Sequence, residues 1–245
     1  MADYVLVHGG NMTTETWNRL SGGTPVITPD GTMGGRIWDP VIPALEQHSH
    51  RVFAPTLHDE HSSSLTDHIM QVSRIIAEND LHDVILAGHS YGGMVITGAA
   101  EGMPDRIHHL VYIDAALPDP GQSLFDIIVS GGRDPLSFAG LEPAPAYVEK
   151  LQYDARTLQR FEKTYILCTK SEFSVITRLA GKKIAAEHNN WTYQEMPASH
   201  VPMADMPKEV ARVLLNAGKK YRPFSIKKNP DGNMGEYQTT IFIIR

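Results

Sequence analysis

The stretch Val84-Ile85-Leu86-Ala87-Gly88-His89-Ser90-Tyr91-Gly92-Gly93 decides the fold. Its first four residues are apolar and predict a buried strand, and the apolar run Met94–Ala100 behind it predicts a helix. Between them, Ser90 has a glycine two positions before and two positions after it, a pattern typical of a tight turn that exposes the serine hydroxyl. Ser90 is therefore the predicted nucleophile. The alternative is a glycine-rich turn in which the serine only caps the helix.

Further apolar runs along the chain predict more strands of the same kind. Most are continuously apolar, which is typical of parallel strands covered by helices on both faces. The predicted strands are Tyr4–Val7, Arg51–Ala54, Asp83–Ala87, His109–Ile113, Lys163–Cys168 and Trp191–Met196. Stretches with helical periodicity alternate with them, at Trp38–Gln47, Leu65–Asn79, Gly92–Glu101, Phe173–Glu187 and Pro207–Ala217. This alternation predicts an α/β fold with a doubly wound, mostly parallel sheet of about six strands.

Two internal segments depart from this alternation. Residues 19–37 are rich in glycine and turn-forming residues and predict a long loop. Residues 117–162 contain five prolines and only a weak helical stretch near Tyr147–Phe161. Such an insertion predicts a small cap or lid over the sheet.

The C-terminal residues 221–245 form a third exception. An Asn-Pro-Asp-Gly turn separates Phe224–Lys228 from Tyr237–Ile244, which predicts a β-hairpin. We expect a single domain over residues 1–220, followed by this extension. The hairpin offers an edge that could pair with a second copy of the chain, as in a homodimer.

The composition excludes several classes of function. The 245-residue chain has a formal net charge of −6, which argues against nucleic-acid binding because phosphate neutralisation needs a basic face. No signal peptide is visible at the N-terminus, and no apolar run approaches the roughly 20 residues that span a bilayer. Cys168 is the single cysteine, so no internal disulfide is expected. We expect a cytoplasmic protein that acts on a small molecule and contacts neither nucleic acid nor membrane.

The predicted nucleophile needs a base, because a serine hydroxyl is a weak nucleophile at neutral pH. His200, in Ser199-His200-Val201-Pro202, follows the last predicted strand and precedes the last predicted helix. An imidazole at that place can take the serine proton and return it to the leaving group. The chain has 12 histidines, and this position singles out His200.

The segment His8-Gly9-Gly10-Asn11 follows the first predicted strand. Glycine lets the backbone approach a substrate closely, so the amides of Gly10 and of Tyr91 are predicted to form an oxyanion hole. We expect Gly9 and Asn11 to border the substrate together with His8, whose side chain would also buttress the loop. An ordinary strand-to-loop turn is the alternative.

The acid that orients His200 is open between two carboxylates. Either of two neighbouring strand ends can supply the group that holds the imidazole in the right tautomer. Asp114 directly closes the strand His109–Ile113. Glu172 lies beyond the next strand, at a place where an acidic residue also suits the first turn of a helix. We favour Asp114 for this reason.

Together, these motifs resemble one family of enzymes. His8-Gly9-Gly10, the run Arg51–Leu57, the serine turn, Tyr112-Ile113-Asp114-Ala115 and the late His200 are similar to the small α/β-hydrolases of the plant methylesterase and hydroxynitrile lyase group and their bacterial esterase relatives. The resemblance covers residues 4–218. It implies the α/β-hydrolase fold with a compact cap.

The sequence departs from that group in ways that bear on the reaction. Plant members carry an aspartate after the penultimate strand, where this chain has Ser171, and the acid is therefore expected at Asp114. The hydroxynitrile lyases of the group use a threonine and a lysine where this chain has Gly9 and Val201. We therefore predict hydrolysis of a carboxylic ester or lactone of a small apolar molecule through an acyl-enzyme, without cofactor or metal.

Two other functions stay open at this point. Ser90 and His200 could serve as an acid–base pair in lyase or cyclase chemistry on a small secondary metabolite. Alternatively, the chain could bind a small ligand without turning it over. An acyl group trapped on Ser90 would distinguish hydrolysis from both.

Three further motifs are given structural interpretations. His58-Asp59-Glu60-His61, with His68 nearby, lacks the helical frame of a zinc site and predicts a polar surface loop. Gly31-Thr32-Met33-Gly34-Gly35 lacks the lysine of a phosphate-binding loop. Cys168 ends an apolar strand and is expected to be a buried small hydrophobic residue.

Overall fold

A parallel sheet forms the centre of the computed structural model, which describes residues 1–21, 24–138, 141–187 and 190–219. The strands are β1 (Asp3–Val7), β2 (Arg51–Phe53), β3 (Val84–His89), β4 (Ile107–Ile113), β5 (Glu162–Cys168) and β6 (Trp191–Met196). Within the described residues the sheet has six strands in the order β2-β1-β3-β4-β5-β6, and neighbouring strands are parallel. The predicted α/β class is confirmed. The predicted C-terminal hairpin, in residues 221–245, lies outside the described residues.

The observed strands differ from the predicted ones mainly at their ends. β3 continues two residues past the predicted end at Ala87, because Gly88 and His89 still pair with Tyr112 and Ile113 of β4. Because glycine and histidine are not apolar side chains, the apolar pattern ended at Ala87 and the predicted strand was too short. The strand therefore leads directly into Ser90.

Helices connect the strands. They are α1 (Thr14–Leu20), α2 (Ile42–Glu46), α3 (Leu65–Glu78), α4 (Gly92–Gly102), α5 (Leu124–Ser130), α6 (Pro145–Val148), α7 (Ala155–Leu158), α8 (Ser174–Glu187), α9 (Pro202–Asp205) and α10 (Pro207–Ala217), with 3-10 helices at Gly34–Trp38 and Pro135–Ser137. No helix in the described part of the chain is both long and apolar enough to cross a membrane.

The predicted helix Trp38–Gln47 is wrong in its extent. The chain instead forms a 3-10 turn that ends at Trp38 and a short helix α2 from Ile42 to Glu46. Pro40 and Pro43 lie in this stretch, and a proline has no amide hydrogen for a continuous helical ladder.

The predicted long loop over residues 19–37 is corrected at its two ends, where the chain is helical. Its first two residues, Arg19 and Leu20, belong to α1, which Thr13 caps by accepting the Thr16 amide hydrogen. The other end of the segment folds back on the start of the chain, where the Met33 N–H donates to the Met12 carbonyl at 2.8 Å. Met33 is buried in the hydrophobic cluster that contains Tyr4 and Leu6. Between these two ends, residues 24–32 form no helix or strand, and Ile27 is 92% exposed.

Residues 117–162 enter between β4 and β5 and carry the short helices α5, α6 and α7. The weak helical stretch predicted at Tyr147–Phe161 is two separate helices, α6 and α7. Helix α5 was not predicted, although Ser123 and Asp126 form a capping box at its start. Four to seven residues are too few for helical periodicity to stand out.

Both faces of the sheet are covered by helices. In β1, Val5 and Val7 pack into one hydrophobic cluster with α3, α4 and α8, whereas Tyr4 and Leu6 pack into a second cluster with α2 and α10. All four side chains are fully buried. A strand buried on both faces gains from apolar residues at every position, which explains the continuous runs in the sequence.

Because neighbouring strands are parallel, their carboxyl ends lie at the same end of the sheet. The chain passes from β1 outward to β2 and then returns to β3 on the other side of β1. Ligands of open α/β sheets bind in the crevice at such a reversal. The segments that follow β1 and β3 meet at this point of the molecule.

Candidate active site

The turn after β3 holds Ser90 in a strained conformation. Its φ angle is +54°, in the left-handed region that residues with a side chain rarely adopt. The glycines on either side allow this turn: a Cβ on Gly88 would lie 2.6 Å from the Gly92 carbonyl oxygen, and a Cβ on Gly92 would lie 2.7 Å from the Val7 carbonyl oxygen. The predicted strand, turn and helix are thus present around Ser90.

A continuous row of hydrogen bonds joins Ser90, His200 and Asp114. The Ser90 Oγ lies 3.0 Å from His200 Nε2, and His200 Nδ1 lies 2.7 Å from Asp114 Oδ2. A carboxylate only accepts hydrogen bonds, so Nδ1 carries the ring proton and Nε2 is free to accept from the serine hydroxyl. The imidazole and the carboxylate are both buried.

Asp114 is held firmly in this position. It follows β4 directly, its amide donates to the Ile166 carbonyl at 2.8 Å, and its Oδ1 accepts the Cys168 N–H at 3.0 Å. Glu172, the other candidate acid, has a side chain that is 45% exposed and lies 4.0 Å from the Arg19 guanidinium. The structure therefore brings Asp114, and not Glu172, to the imidazole.

Ser171 also reaches the imidazole. Its Oγ lies 3.5 Å from His200 Nδ1, on the same nitrogen that faces Asp114. The two strand ends considered in the sequence analysis therefore both approach His200, but only β4 supplies a carboxylate to it.

Two aromatic side chains that the sequence analysis did not assign to the site hold His200 in place. The Phe173 and His200 ring centroids are 4.3 Å apart, and the His89 and His200 ring centroids are 4.6 Å apart. His89 Nε2 donates to the His200 carbonyl oxygen at 2.6 Å. Burial lowers the pKa of His89 well below its ordinary value, so its ring is neutral. The position of His89 directly before Ser90 was the available signal for this role.

The loop after β1 lies against Ser90. A Cβ on Gly9 would lie 2.7 Å from the Ser90 Cβ, so only glycine fits at this contact. Gly10 and Asn11 line a cavity that also reaches Ser90. Among the hydrogen bonds of the described residues, none uses the amide hydrogen of Gly10 or Tyr91. Because Gly10 also lines that cavity, its amide hydrogen is accessible from the cavity.

His8 supports this loop from beneath. Its Nε2 accepts the Leu57 N–H at 2.8 Å, and its Nδ1 donates to the Gly9 carbonyl at 2.8 Å. Burial lowers the pKa of His8 to about 4, so the ring is neutral at physiological pH. The side chain is buried and lines neither of the cavities beside Ser90. These contacts fit the predicted buttressing role, and the place of His8 at the border of the substrate stays a prediction.

Two cavities meet at Ser90 and His200, divided by Leu141 and Phe173, which line both. The cap cavity has largely apolar walls, formed by Ala116, Leu124, Ile128, Ile176 and Thr177. The loop cavity is more polar and is lined by Gly10, Asn11, Met12, Thr13, Thr16, Leu20 and Glu172. From the segment 19–37, only Leu20 lines these walls among the described residues.

The histidines at 58, 61 and 68 form no metal site. In the described part of the chain no group of three or more His, Cys, Asp or Glu side chains is arranged to hold a metal ion. His68 instead uses both ring nitrogens on the Tyr91 hydroxyl and the His58 carbonyl.

Comparison with known proteins identifies the family. A family model described as "Alpha/beta hydrolase family" matches residues 4–213. The chain belongs to this family. The hydrolase is 29% identical to the carbendazim hydrolyzing esterase of a Nocardioides species, over 89% of this chain and 100% of that protein. It is 33% identical to polyneuridine aldehyde esterase of Rauvolfia serpentina, over 40% of this chain and 41% of that protein.

Solved structures agree with this assignment. The crystal structure of polyneuridine aldehyde esterase superposes with a TM-score of 0.63 at 19% identity and covers 89% of this hydrolase and 100% of that chain. At this identity the likeness shows the fold. Methylesterases and an alpha-hydroxynitrile lyase of Arabidopsis thaliana are further relatives, so the predicted resemblance is confirmed. Four other relatives are named esterases or hydrolases, which confirms the predicted class of carboxylic-ester hydrolase.

Proposed function

We propose that this hydrolase cleaves a carboxylic ester of a small, largely apolar molecule through an acyl-enzyme on Ser90. The observation that carries the proposal is the row of hydrogen bonds from Ser90 through His200 to Asp114 at the junction of two cavities. Each group has the partner that its chemical role requires.

The reaction follows from this geometry. His200 Nε2 takes the hydroxyl proton as Ser90 Oγ attacks the ester carbonyl carbon, and Asp114 stabilises the imidazolium that forms. The amides of Gly10 and Tyr91 donate to the oxyanion. His200 then protonates the leaving alkoxide, which departs as the alcohol. Water attacks the acyl group with His200 as base, and the carboxylic acid and free Ser90 result.

The cavity walls support a substrate with two unlike halves. The Leu124, Ile128 and Ile176 side chains of the cap cavity suit an apolar group, because apolar walls bind by contact area. Asn11, Thr16 and Glu172 in the loop cavity suit a half that forms hydrogen bonds. The names of two relatives, a carbendazim hydrolyzing esterase and a pyrethroid hydrolase, agree with a hydrolytic reaction.

The lyase alternative has less support. Among the relatives is an alpha-hydroxynitrile lyase, 33% identical over 38% of this chain. The position directly after His200, however, is Val201, which is fully buried and apolar. No lysine lines either cavity in the described part of the chain. Hydrolysis remains the function that the site supports best.

The test of this proposal is the variant Ser90→Ala. We expect the wild-type protein to hydrolyse short p-nitrophenyl esters, to react with a fluorophosphonate, and to show an acyl adduct on Ser90 by mass spectrometry. Ser90→Ala should lose all three, whereas Ser62→Ala, which changes a serine away from both cavities, should retain them. Unchanged ester turnover in Ser90→Ala would refute the proposal.

A further inference from the structure

A buried hydrogen-bonded network lies directly behind the proposed oxyanion hole. Glu60, between β2 and α3, is only 9% exposed. Its Oε1 accepts two hydrogen bonds, from the Asn11 N–H at 3.2 Å and from the Tyr147 hydroxyl at 3.2 Å. One carboxylate oxygen thus joins the loop after β1 to helix α6 of the cap.

Tyr147 touches both residues whose amides form the proposed oxyanion hole. Its hydroxyl packs on Gly10 so closely that a Cβ on Gly10 would collide with it. Its ring meets the Tyr91 ring edge-on, with centroids 5.2 Å apart. Tyr147 is only 1% exposed and lines neither cavity, so it has no direct access to a substrate.

The side chain of Tyr91 is held from its far side by His68. The His68 Nε2 donates to the His58 carbonyl at 3.0 Å, which leaves Nδ1 to accept the Tyr91 hydroxyl hydrogen at 3.0 Å. Burial lowers the pKa of His68, which keeps the ring neutral. The two proposed oxyanion residues are therefore connected to one another through Tyr147 and to the body of the protein through Glu60 and His68.

We propose that Glu60 and Tyr147 are positioning residues for the oxyanion hole, an inference that rests on the proposed ester hydrolysis. Amide donors stabilise an oxyanion only at about 2.7–3.1 Å from its position in the transition state. Gly9 and Gly10 have no side chains of their own with which to hold that distance. Glu60 and Tyr147 supply this restraint from two other segments of the chain.

The carboxylate of Glu60 serves as a hydrogen-bond acceptor in this network. A negative charge near a developing oxyanion is unfavourable by itself. The contribution of Glu60 to catalysis therefore comes from the positions in which its hydrogen bonds hold Asn11 and Tyr147. The amide oxygen of a glutamine can accept the same two hydrogen bonds without the charge. Glu60→Gln should therefore preserve the function that Glu60→Ala removes.

The experiment compares Tyr147→Phe, Glu60→Ala and Glu60→Gln with Tyr153→Phe as the matched control. Tyr153 is also a cap tyrosine, and its hydroxyl donates to the Pro118 carbonyl at 2.8 Å, away from the oxyanion loop. For each variant we would measure kcat and KM with a p-nitrophenyl ester, the affinity for an alkylboronic acid, and Tm. A boronic acid forms a tetrahedral adduct on the serine and places one oxygen in the oxyanion hole.

We expect Tyr147→Phe and Glu60→Ala to lower kcat by about tenfold to a hundredfold, with KM changed by less than about twofold. The affinity for the boronic acid should fall by the same factor as kcat. Glu60→Gln should stay within about threefold of wild type, and Tyr153→Phe should match wild type in kcat and in boronic-acid affinity.

Several results would overturn the inference. These are wild-type kcat in both Tyr147→Phe and Glu60→Ala, a lowered kcat with unchanged boronic-acid affinity, or an equal loss in Tyr153→Phe. If Glu60→Ala fails to fold, Tyr147→Phe carries the test alone. Failure of the proposed function is recognised separately, by ester turnover that persists in Ser90→Ala.

Discussion

The cap cavity and the loop cavity share Ser90 and His200 but have unlike walls. The cap cavity is lined by apolar side chains such as Leu124, Ile128 and Ile176, whereas the loop cavity is lined by polar ones such as Asn11 and Glu172. Ser90 and His200, the proposed reacting groups, line both cavities. Catalytic power should therefore depend on residues that serve both cavities, and selectivity on residues that belong to one of them.

We expect the largest effect from a substitution that disturbs His200, because this residue lines both cavities. Asp114→Asn preserves the shape of the side chain but favours the wrong tautomer of His200, and kcat should fall about 10⁴-fold for every ester. Steady-state kinetics with esters of different polarity would check this uniformity. Glu172→Gln is the matched control, and a larger loss in that variant would reassign the acid.

Low pH should lower the free energy of unfolding, because His8, which supports the loop after β1, is buried as a neutral ring. The pKa of this buried ring is about 4 in the folded protein, against 6.5 for an unperturbed histidine. Between these two values the unfolded chain binds a proton that the native protein does not, so the free energy of unfolding falls as the pH falls. At pH 4 the loss reaches about 3 kcal/mol for this group.

Urea unfolding of wild type and His8→Gln at pH 7 and pH 4.5 would measure this contribution. A glutamine side chain at this position retains a donor and an acceptor but does not titrate, so the variant should show a smaller loss of stability on acidification. The same pH dependence in both proteins would argue against the role of His8.

A larger side chain in the cap cavity should lower the selectivity for esters with long acyl chains. We expect Ile176→Phe to lower kcat/KM for a p-nitrophenyl hexanoate by about tenfold or more relative to the acetate, since pocket volume discriminates by about 1–3 kcal/mol per methylene. Leu20→Phe in the loop cavity is the control and should leave this ratio unchanged. An equal change in both variants would show that the cavities do not divide the substrate in this way.

The smallest effect is expected at the rim of the loop cavity. Glu172 is partly exposed, so its charge is screened by solvent. Glu172→Gln should reduce the preference for a cationic ester over its neutral analogue by no more than about fivefold, and salt should reduce it further. Competition kinetics at two ionic strengths would check both statements. A preference that is unaffected by the substitution would place the polar half of the substrate elsewhere.

The sequence predicted best those site residues that lie within a recognisable local pattern. Ser90 follows a run of apolar residues and lies between glycines, and His200 lies between a strand and a helix. In a parallel sheet the carboxyl ends of such strands lie at the same end, so no further information is needed to place these residues near each other. For this reason, the row formed by Ser90 and His200 could be anticipated from local patterns alone.

Other features depended on contacts that no local pattern encodes. The sequence favoured Asp114, which directly closes its strand, but left Glu172 open. In the structure the Cys168 amide and the Ile166 carbonyl bind Asp114, which faces His200. The helices α1 and α5 were missed because each is only seven residues long and is stabilised mainly by its cap and by tertiary packing.

By itself, the sequence determined the α/β class, the strand that presents Ser90 and the loop of glycines beside it, because each depends on residues that are adjacent in the chain. Tertiary structure alone decided which carboxylate faces His200, how two unlike cavities share one serine, and how Glu60 and Tyr147 reach the loop after β1. The contacts of Glu60 with Asn11 and with Tyr147 join residues 49 and 87 positions apart, and only the packing of the cap and loops on the sheet determines which of them meet.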